Sequence, residues 1–531
     1  MRLRRRVLGT VAATAAAVGL ALATPTSSLA RSGDPLAGGS PTPTVRPAAG
    51  TFYPTDAERV LGGTSAGYQV SADTPLTVST SRSAGLPSSG MSAVVANVTV
   101  TAGPSKVSLT AAPTSAGVDP ATALGLIVVP AGMTRSSLLT IPLGPRSSFD
   151  LSATGGRATV TADVVGFYAS DDTVVAGLGV SGGYQPLTPH RLVDATGAAA
   201  VPAGGSTVVG VDLGPAVTEH ATALLVRVSA QDTTAPGAVT AAAPPDSGAT
   251  SATSGSDGVS TGSATSTAPQ IASQIASQIA TVSFTAGSPA SNLAVIPARI
   301  GDDGKIGLEV ASSSTAPVGV VVDLVGFYDD GTIGPNLRFR PLPQTRVVDT
   351  RTSLAMSPLV PGRSQTVTPA SSVVGDSTFG LVGVLTTTTV AATCVDLGPD
   401  APATTAPSGA VAVGGVPVAA GTTSSAVQVE VATDRTVAVR GEAGAPAGPA
   451  APPAPPPSGP AAPSGPAAPS APSASAAPSA PSASAAPSAP TPTQVTFDVV
   501  GSFEAYPPVV TASSRDWVAP VAGWQVGALA R

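Results

Sequence analysis

Apolar positions along this chain come in short runs. Ala93-Val94-Val95-Ala96-Asn97-Val98-Thr99-Val100, Ala223-Leu224-Leu225-Val226-Arg227-Val228 and Ala426-Val427-Gln428-Val429-Glu430-Val431 are rich in β-branched residues, and Gly, Pro, Ser or Asp separate such runs. Runs of this length between turn-forming residues predict strands. No stretch carries an amphipathic helical period. The pattern predicts an all-β chain of antiparallel β-sandwich-like or barrel-like modules.

The runs belong to a longer repeat. An opening signature appears as Phe52-Tyr53-Pro54 with Arg59-Val60-Leu61, as Tyr184-Gln185-Pro186 with Arg191-Leu192-Val193-Asp194, and as Phe339-Arg340-Pro341 with Arg346-Val347-Val348-Asp349. Proline and arginine stand five positions apart each time. A closing signature appears as Asp163-Val164-Val165-Gly166-Phe167-Tyr168, Asp323-Leu324-Val325-Gly326-Phe327-Tyr328 and Asp498-Val499-Val500-Gly501-Ser502-Phe503. The units are domain-sized, unlike the short repeats of a solenoid.

These signatures predict three tandem, independently folded modules at 51–170, 184–330 and 339–506, joined by linkers 171–183 and 331–338. Two low-complexity tracts interrupt them: 232–280, rich in Ser, Thr, Ala and Gly, and 441–492, rich in Pro, Ala and Ser. Such tracts lack the apolar content to bury a core and are expected to be disordered insertions.

Composition sharpens the picture. Of 17 aromatic residues, ten sit at the signatures: Phe52, Tyr53, Phe167, Tyr168, Tyr184, Phe327, Tyr328, Phe339, Phe503 and Tyr506. If first and last strands pair, these rings supply core volume that Ala and Val cannot. The single cysteine, Cys394, forms no intrachain disulfide and reads as a small buried apolar residue.

The N-terminus reads as an export signal over 1–30: four arginines in Met1 to Arg6, an Ala/Val/Leu run from Val7 to Ala23, and Ser28-Leu29-Ala30 as a cleavage site. A linker, 31–50, follows, and 507–531 forms a tail. Losing Arg2, Arg4, Arg5 and Arg6 with the signal moves the formal charge from -6 to -10. A nucleic-acid partner is therefore not expected. Nor is a transmembrane segment after cleavage.

The run from Pro341 through Arg346 to Asp349-Thr350-Arg351, the Asn97-Val98-Thr99 strand and the terminal Asp-Val-Val-Gly-Phe-Tyr together resemble a β-module repeated in secreted proteins of actinobacteria-type organisms. The resemblance covers roughly residues 50 to 510. It implies an extracellular accessory role without an established activity. Gly62 departs from it where the other copies have Asp194 and Asp349, as does Ser502 in place of phenylalanine.

Candidate chemistry is sparse. Gly63-Thr64-Ser65-Ala66-Gly67 matches a nucleophile elbow, but Tyr68 to Asp73 does not continue as a helix and the chain holds only His190 and His220 as bases. Gly177-Leu178-Gly179-Val180-Ser181-Gly182 matches a dinucleotide fingerprint without its helix. Asp302-Asp303-Gly304 and Asp329-Asp330-Gly331 read as acidic turns. No catalytic, cofactor or metal site is expected.

One constellation does stand out. Each module carries an arginine near its start and an aspartate inside its last apolar strand, where a lone charge is costly. The pairs predicted are Arg59 with Asp163, Arg191 with Asp323, and Arg346 with Asp498. The resulting expectation is a non-catalytic secreted or cell-envelope-associated β scaffold for adhesion or structural interaction. A glycan-binding accessory array is the alternative, with cell-wall glycan or another surface protein as partner. A secreted hydrolase is a third reading that lacks a visible base.

Overall fold

The computed structural model describes residues 49–62, 67–83, 85–114, 125–171, 180–244, 280–333, 337–399, 413–442 and 492–506. Within them the chain is built from antiparallel sheets that do not close into barrels. One helical turn, Pro215–Thr218, and two 3-10 turns are the helical elements among the described residues. The signal-peptide reading over 1–30, the Ser65 elbow, Gly177 to Gly179 and the tail after Tyr506 lie outside the described residues.

Each module is a two-sheet sandwich, and the strand order repeats. In the first, the opening strand Phe52–Leu61 pairs with the closing strand Ala158–Ala169. That strand pairs with a central strand, Met91–Ala102, and the central strand with an edge strand, Thr134–Pro142. The short strand Tyr68–Val70 continues along the closing strand. The second sheet runs Leu76–Ser79, Ser148–Thr154, Val107–Pro113, Ile127–Val129.

The second module repeats this order with Tyr184–Ala195, Gly319–Asp329, Ala221–Gln231 and Ala290–Pro297 over Ser206–Val211, Ile306–Ser312, Gly237–Ala242 and Val282–Phe284. The third does so with Leu337–Asp349, Gln494–Ala505, Thr378–Thr389 and Gly421–Glu430 over Ser364–Val367, Val437–Glu442, Thr393–Gly398 and Val416–Val418.

The signature residues have local causes. Register breaks fall between Pro54 and Glu58, Pro186 and His190, and Pro341 and Thr345, after which Arg59, Arg191 and Arg346 come back opposite Asp163, Asp323 and Asp498. Proline lacks an N–H, so a bulge accommodates it where an unbroken ladder would not. The constant spacing to the arginine is the length of that bulge. The closing glycines leave room for the opening aromatic ring. A Cβ on Gly166 would lie 2.2 Å from the ring of Phe52, and one on Gly501 would lie 2.1 Å from that of Phe339.

The modules, expected as independent domains, pack against one another among the described residues. The described residues fall in one compact unit. Phe52 of module one stacks on Tyr328 of module two at 4.2 Å, Tyr184 of module two meets Phe503 of module three at 4.6 Å, and Phe339 of module three stacks on Tyr168 of module one at 4.2 Å. The six rings form one buried hub with a pseudo-threefold arrangement.

The backbone follows the same cycle. Gly182 bridges Phe52, Leu337 pairs with Tyr184, and the amide of Phe339 donates to the carbonyl of Gly50. Each partner lies two residues before an opening aromatic, so the end of each linker belongs to the fold. The tract expected to be disordered from Asp232 also begins later. Gly237–Ala242 is a sheet strand with Val239 buried, and only 245–279 of that tract lies outside the described residues. Likewise Gly441 and Glu442 end the strand Val437–Glu442, and 443–491 lies outside.

Candidate functional site

The structure brings together all three predicted arginine–aspartate pairs. Arg59 Nε donates to Asp163 Oδ1. Arg191 Nε lies 2.5 Å from Asp323 Oδ1, and Arg346 Nε and Nη2 reach Asp498 Oδ1 and Oδ2 at 2.7 and 2.9 Å. The aspartates are buried while the arginine stems stay partly exposed, which suits a long side chain lying across a sheet.

The aspartates three positions after two of these arginines contribute as well. Arg191 Nη1 also donates to Asp194 at 3.2 Å, and Arg346 Nη1 to Asp349 at 3.1 Å. Asp349 accepts a second, bidentate pair of bonds from Arg351 at 2.9 and 2.7 Å. The Arg351 guanidinium therefore holds the Asp349 carboxyl down at about 2. Module one has Gly62 instead, at φ +99°, a conformation that disfavours aspartate. There burial wins, and Asp163 is raised despite Arg59.

The residue facing each aspartate from the central strand differs. Asn97 sits opposite Asp163, Arg227 opposite Asp323, and Val384 opposite Asp498. Arg227 is buried, and its Nε and Nη1 have no hydrogen-bond partner. Burial lowers its pKa while Asp323, Cys394 and Asp396 raise it. A guanidinium nonetheless stays charged at neutral pH. The signal for Arg227 was a cation inside Leu224-Leu225-Val226-Arg227-Val228.

The junctions between modules carry their own chemistry. At the first-to-second junction, Asn292 Nδ2 donates to Asn97 Oδ1 at 3.1 Å while the amide of Leu138 donates to Asn292 Oδ1 at 2.7 Å. At the second-to-third, the amide of Gly414 donates to Asp323 Oδ2 at 2.9 Å. At the third-to-first, the amide of Val128 donates to Ser424 Oγ at 2.7 Å.

Two clefts open at these seams. One, of about 250 Å³, is walled by Ala241, Ala242, Leu293, Val295 and Ile296 with an Asp56–Arg299 pair beside it. The other, of about 370 Å³, is lined by Lys106, Arg346, Arg351, Thr386, Thr388, Thr422 and Gln494.

The remaining candidates are ordinary or corrected. His190 is exposed on its strand, and His220 lies 2.9 Å from Asp330. Asp303 accepts the Lys305 amide in a turn. Asp329, expected in a solvated turn, is instead buried at the end of its strand, where it accepts from the amide of Gly183 at 2.9 Å and burial raises it to about 6. Cys394 is buried.

Among the described residues no helix is long and apolar enough to cross a membrane. The architecture defines an all-β chain of antiparallel, sandwich-like sheets. Comparison with known proteins finds no family model and no curated protein that matches the chain.

Proposed function

We propose that this chain is a non-catalytic, exported scaffold of the cell envelope, built for adhesion or structural interaction. The observation that carries the reading is the shared aromatic hub. It joins three sandwiches into one body, and the charged residues common to the three copies are committed to tying strands together. Residues used this way are unavailable for general acid–base work.

The test is retention on isolated cell walls. The chain from Arg31 onward, purified and mixed with washed walls, is expected to sediment with them and to release no soluble fragments. Tagged full-length protein is expected outside the cytoplasm. A cytoplasmic location, failure to sediment, or steady release of wall fragments would each overturn the reading.

A further inference from the structure

We propose that the cleft between the third and first modules binds an acidic oligosaccharide, a hydroxyl-rich chain bearing carboxylates. This deepens the envelope reading and rests on it for where such a polymer is met.

The cleft is chemically unlike its counterpart at the first-to-second seam. There Arg299 pairs with Asp56 beside an apolar wall. Here Arg346 and Arg351 balance Asp349 and Asp498, and Lys106 adds one net positive charge at the rim. Arg346 has Nε and Nη2 committed to Asp498 and Nη1 to Asp349. Arg351 commits Nε and Nη2 to Asp349, leaves Nη1 over, and keeps its side chain 57% exposed. Lys106 is exposed and makes no ion pair among the described residues. Two cations thus have donors to offer in a chain whose net charge is -6.

Hydroxyls and an amide supply the remaining partners. Thr388 and Thr422 lie across neighbouring strands at 3.1 Å, beside Thr386 and Thr496. Gln494 has Oε1 committed to Thr350 and its amide nitrogen without a bond among the described residues. Hydroxyl and amide groups suit sugar hydroxyls, and Arg351 with Lys106 suits a carboxylate. Among the described residues no aromatic side chain lines the cleft, so the proposed contacts are hydrogen bonds and charge. Recognition through exposed charge and hydrogen bonds is weak and depends steeply on salt.

Calorimetric titration of the mature chain with a galacturonate tetramer tests this, with maltotetraose and inorganic phosphate as the other arms. Saturable binding of the uronate alone is expected, roughly tenfold weaker when salt rises from about 50 to about 300 mM. Lys106→Gln with Arg351→Gln is expected to weaken it at least about tenfold. Arg299→Gln, in the other cleft, is expected to leave it unchanged.

Should Arg351→Gln unsettle Asp349, a melting curve reveals it, and the exposed Lys106→Gln alone still has to weaken binding. No saturable uronate binding, equal binding of maltotetraose or phosphate, or wild-type affinity in the double variant would overturn the proposal. Wall retention without uronate binding sinks the cleft alone, whereas uronate binding without wall retention sinks the envelope reading alone.

Discussion

Asp163 and Asp323 occupy the same position in the first and second modules, each paired with the arginine of its own opening strand, yet their other neighbours differ. Asp163 faces neutral Asn97 and a partner arginine 40% exposed. Asp323 lies between Arg191 and the buried Arg227, and also accepts the amide of Gly414 from the third module. The intramodule tie is shared, while the third neighbour belongs to the seam each module serves. The three seams are therefore chemically distinct, which gives each module one best place in the cycle.

The largest break is to remove the cycle. Residues 49–171 alone would expose Phe52 and Tyr168, whose rings stack on Tyr328 and Phe339. Such a fragment is expected to self-associate or stay unfolded, judged by sedimentation and amide NMR dispersion. A monomeric, cooperatively folding fragment would restore the picture of independent modules.

Next comes the aspartate comparison itself. Asp323→Ala is expected to cost about 3–5 kcal/mol in urea unfolding, because it removes the buried carboxylate bonded by Arg191 Nε and Nη2 and the strongest counter-charge on buried Arg227. Asp163→Ala should cost about 1–3 kcal/mol, since Arg59 can rehydrate. Equal losses would show that Arg227 contributes nothing to the difference.

The seams give intermediate effects of opposite kinds. Asn292→Ala should cost about 1–3 kcal/mol by taking the acceptor from the Leu138 amide and the donor from Asn97 Oδ1. Arg227→Met should fall within about 1 kcal/mol of wild type, because it removes two unpartnered buried nitrogens while Asp323 keeps Arg191. A loss above about 3 kcal/mol for Arg227→Met would mean that the seam depends on its charge.

Titration separates the copies further, for module one has Ala169 where module two has Asp329. The folded carboxyl of Asp329 is raised to about 6, so between roughly pH 4 and 6 the folded state binds its proton more readily than the unfolded chain. Its contribution is present below about pH 4 and lost as pH rises through 6. Asp349, held at about 2, works oppositely: its contribution is present above about pH 4 and lost as pH falls through 2. Melting curves should show that Asp329→Asn removes a decline in stability between about pH 4 and 6. An unchanged slope would reject that assignment. The smallest effect is expected from Arg299→Ala, about 0.5 kcal/mol or less, because its pair with Asp56 is exposed. A clear drop in melting temperature would show that this pair secures the seam.

Much of this was legible beforehand, for identifiable reasons. The arginine–aspartate pairs could be read because a charge among Val and Phe needs a partner and recurs in all three closing signatures. Arg227 offered the same signal within its apolar run. Gly237–Ala242 did not, because its small residues blend into the Ser/Thr/Ala tract that follows. Asp329 was read as a turn residue since Asp-Gly usually is one. Its burial and its bonds from Gly183 and Gln185 arise only once these segments meet.

What the amino-acid order determined alone is local or periodic: strands from β-branched runs between turn-forming residues, module signatures from fixed spacings, and pairs from charges that recur with each signature. Tertiary structure alone decided which copy meets which. Phe52 is 276 positions from Tyr328 and Phe339 is 171 from Tyr168. Rings alike in all three modules carry no mark of their partner. That choice rests on burying six aromatic faces at once while three different seams satisfy their own polar groups, a condition on the assembled body and not on any one stretch of chain.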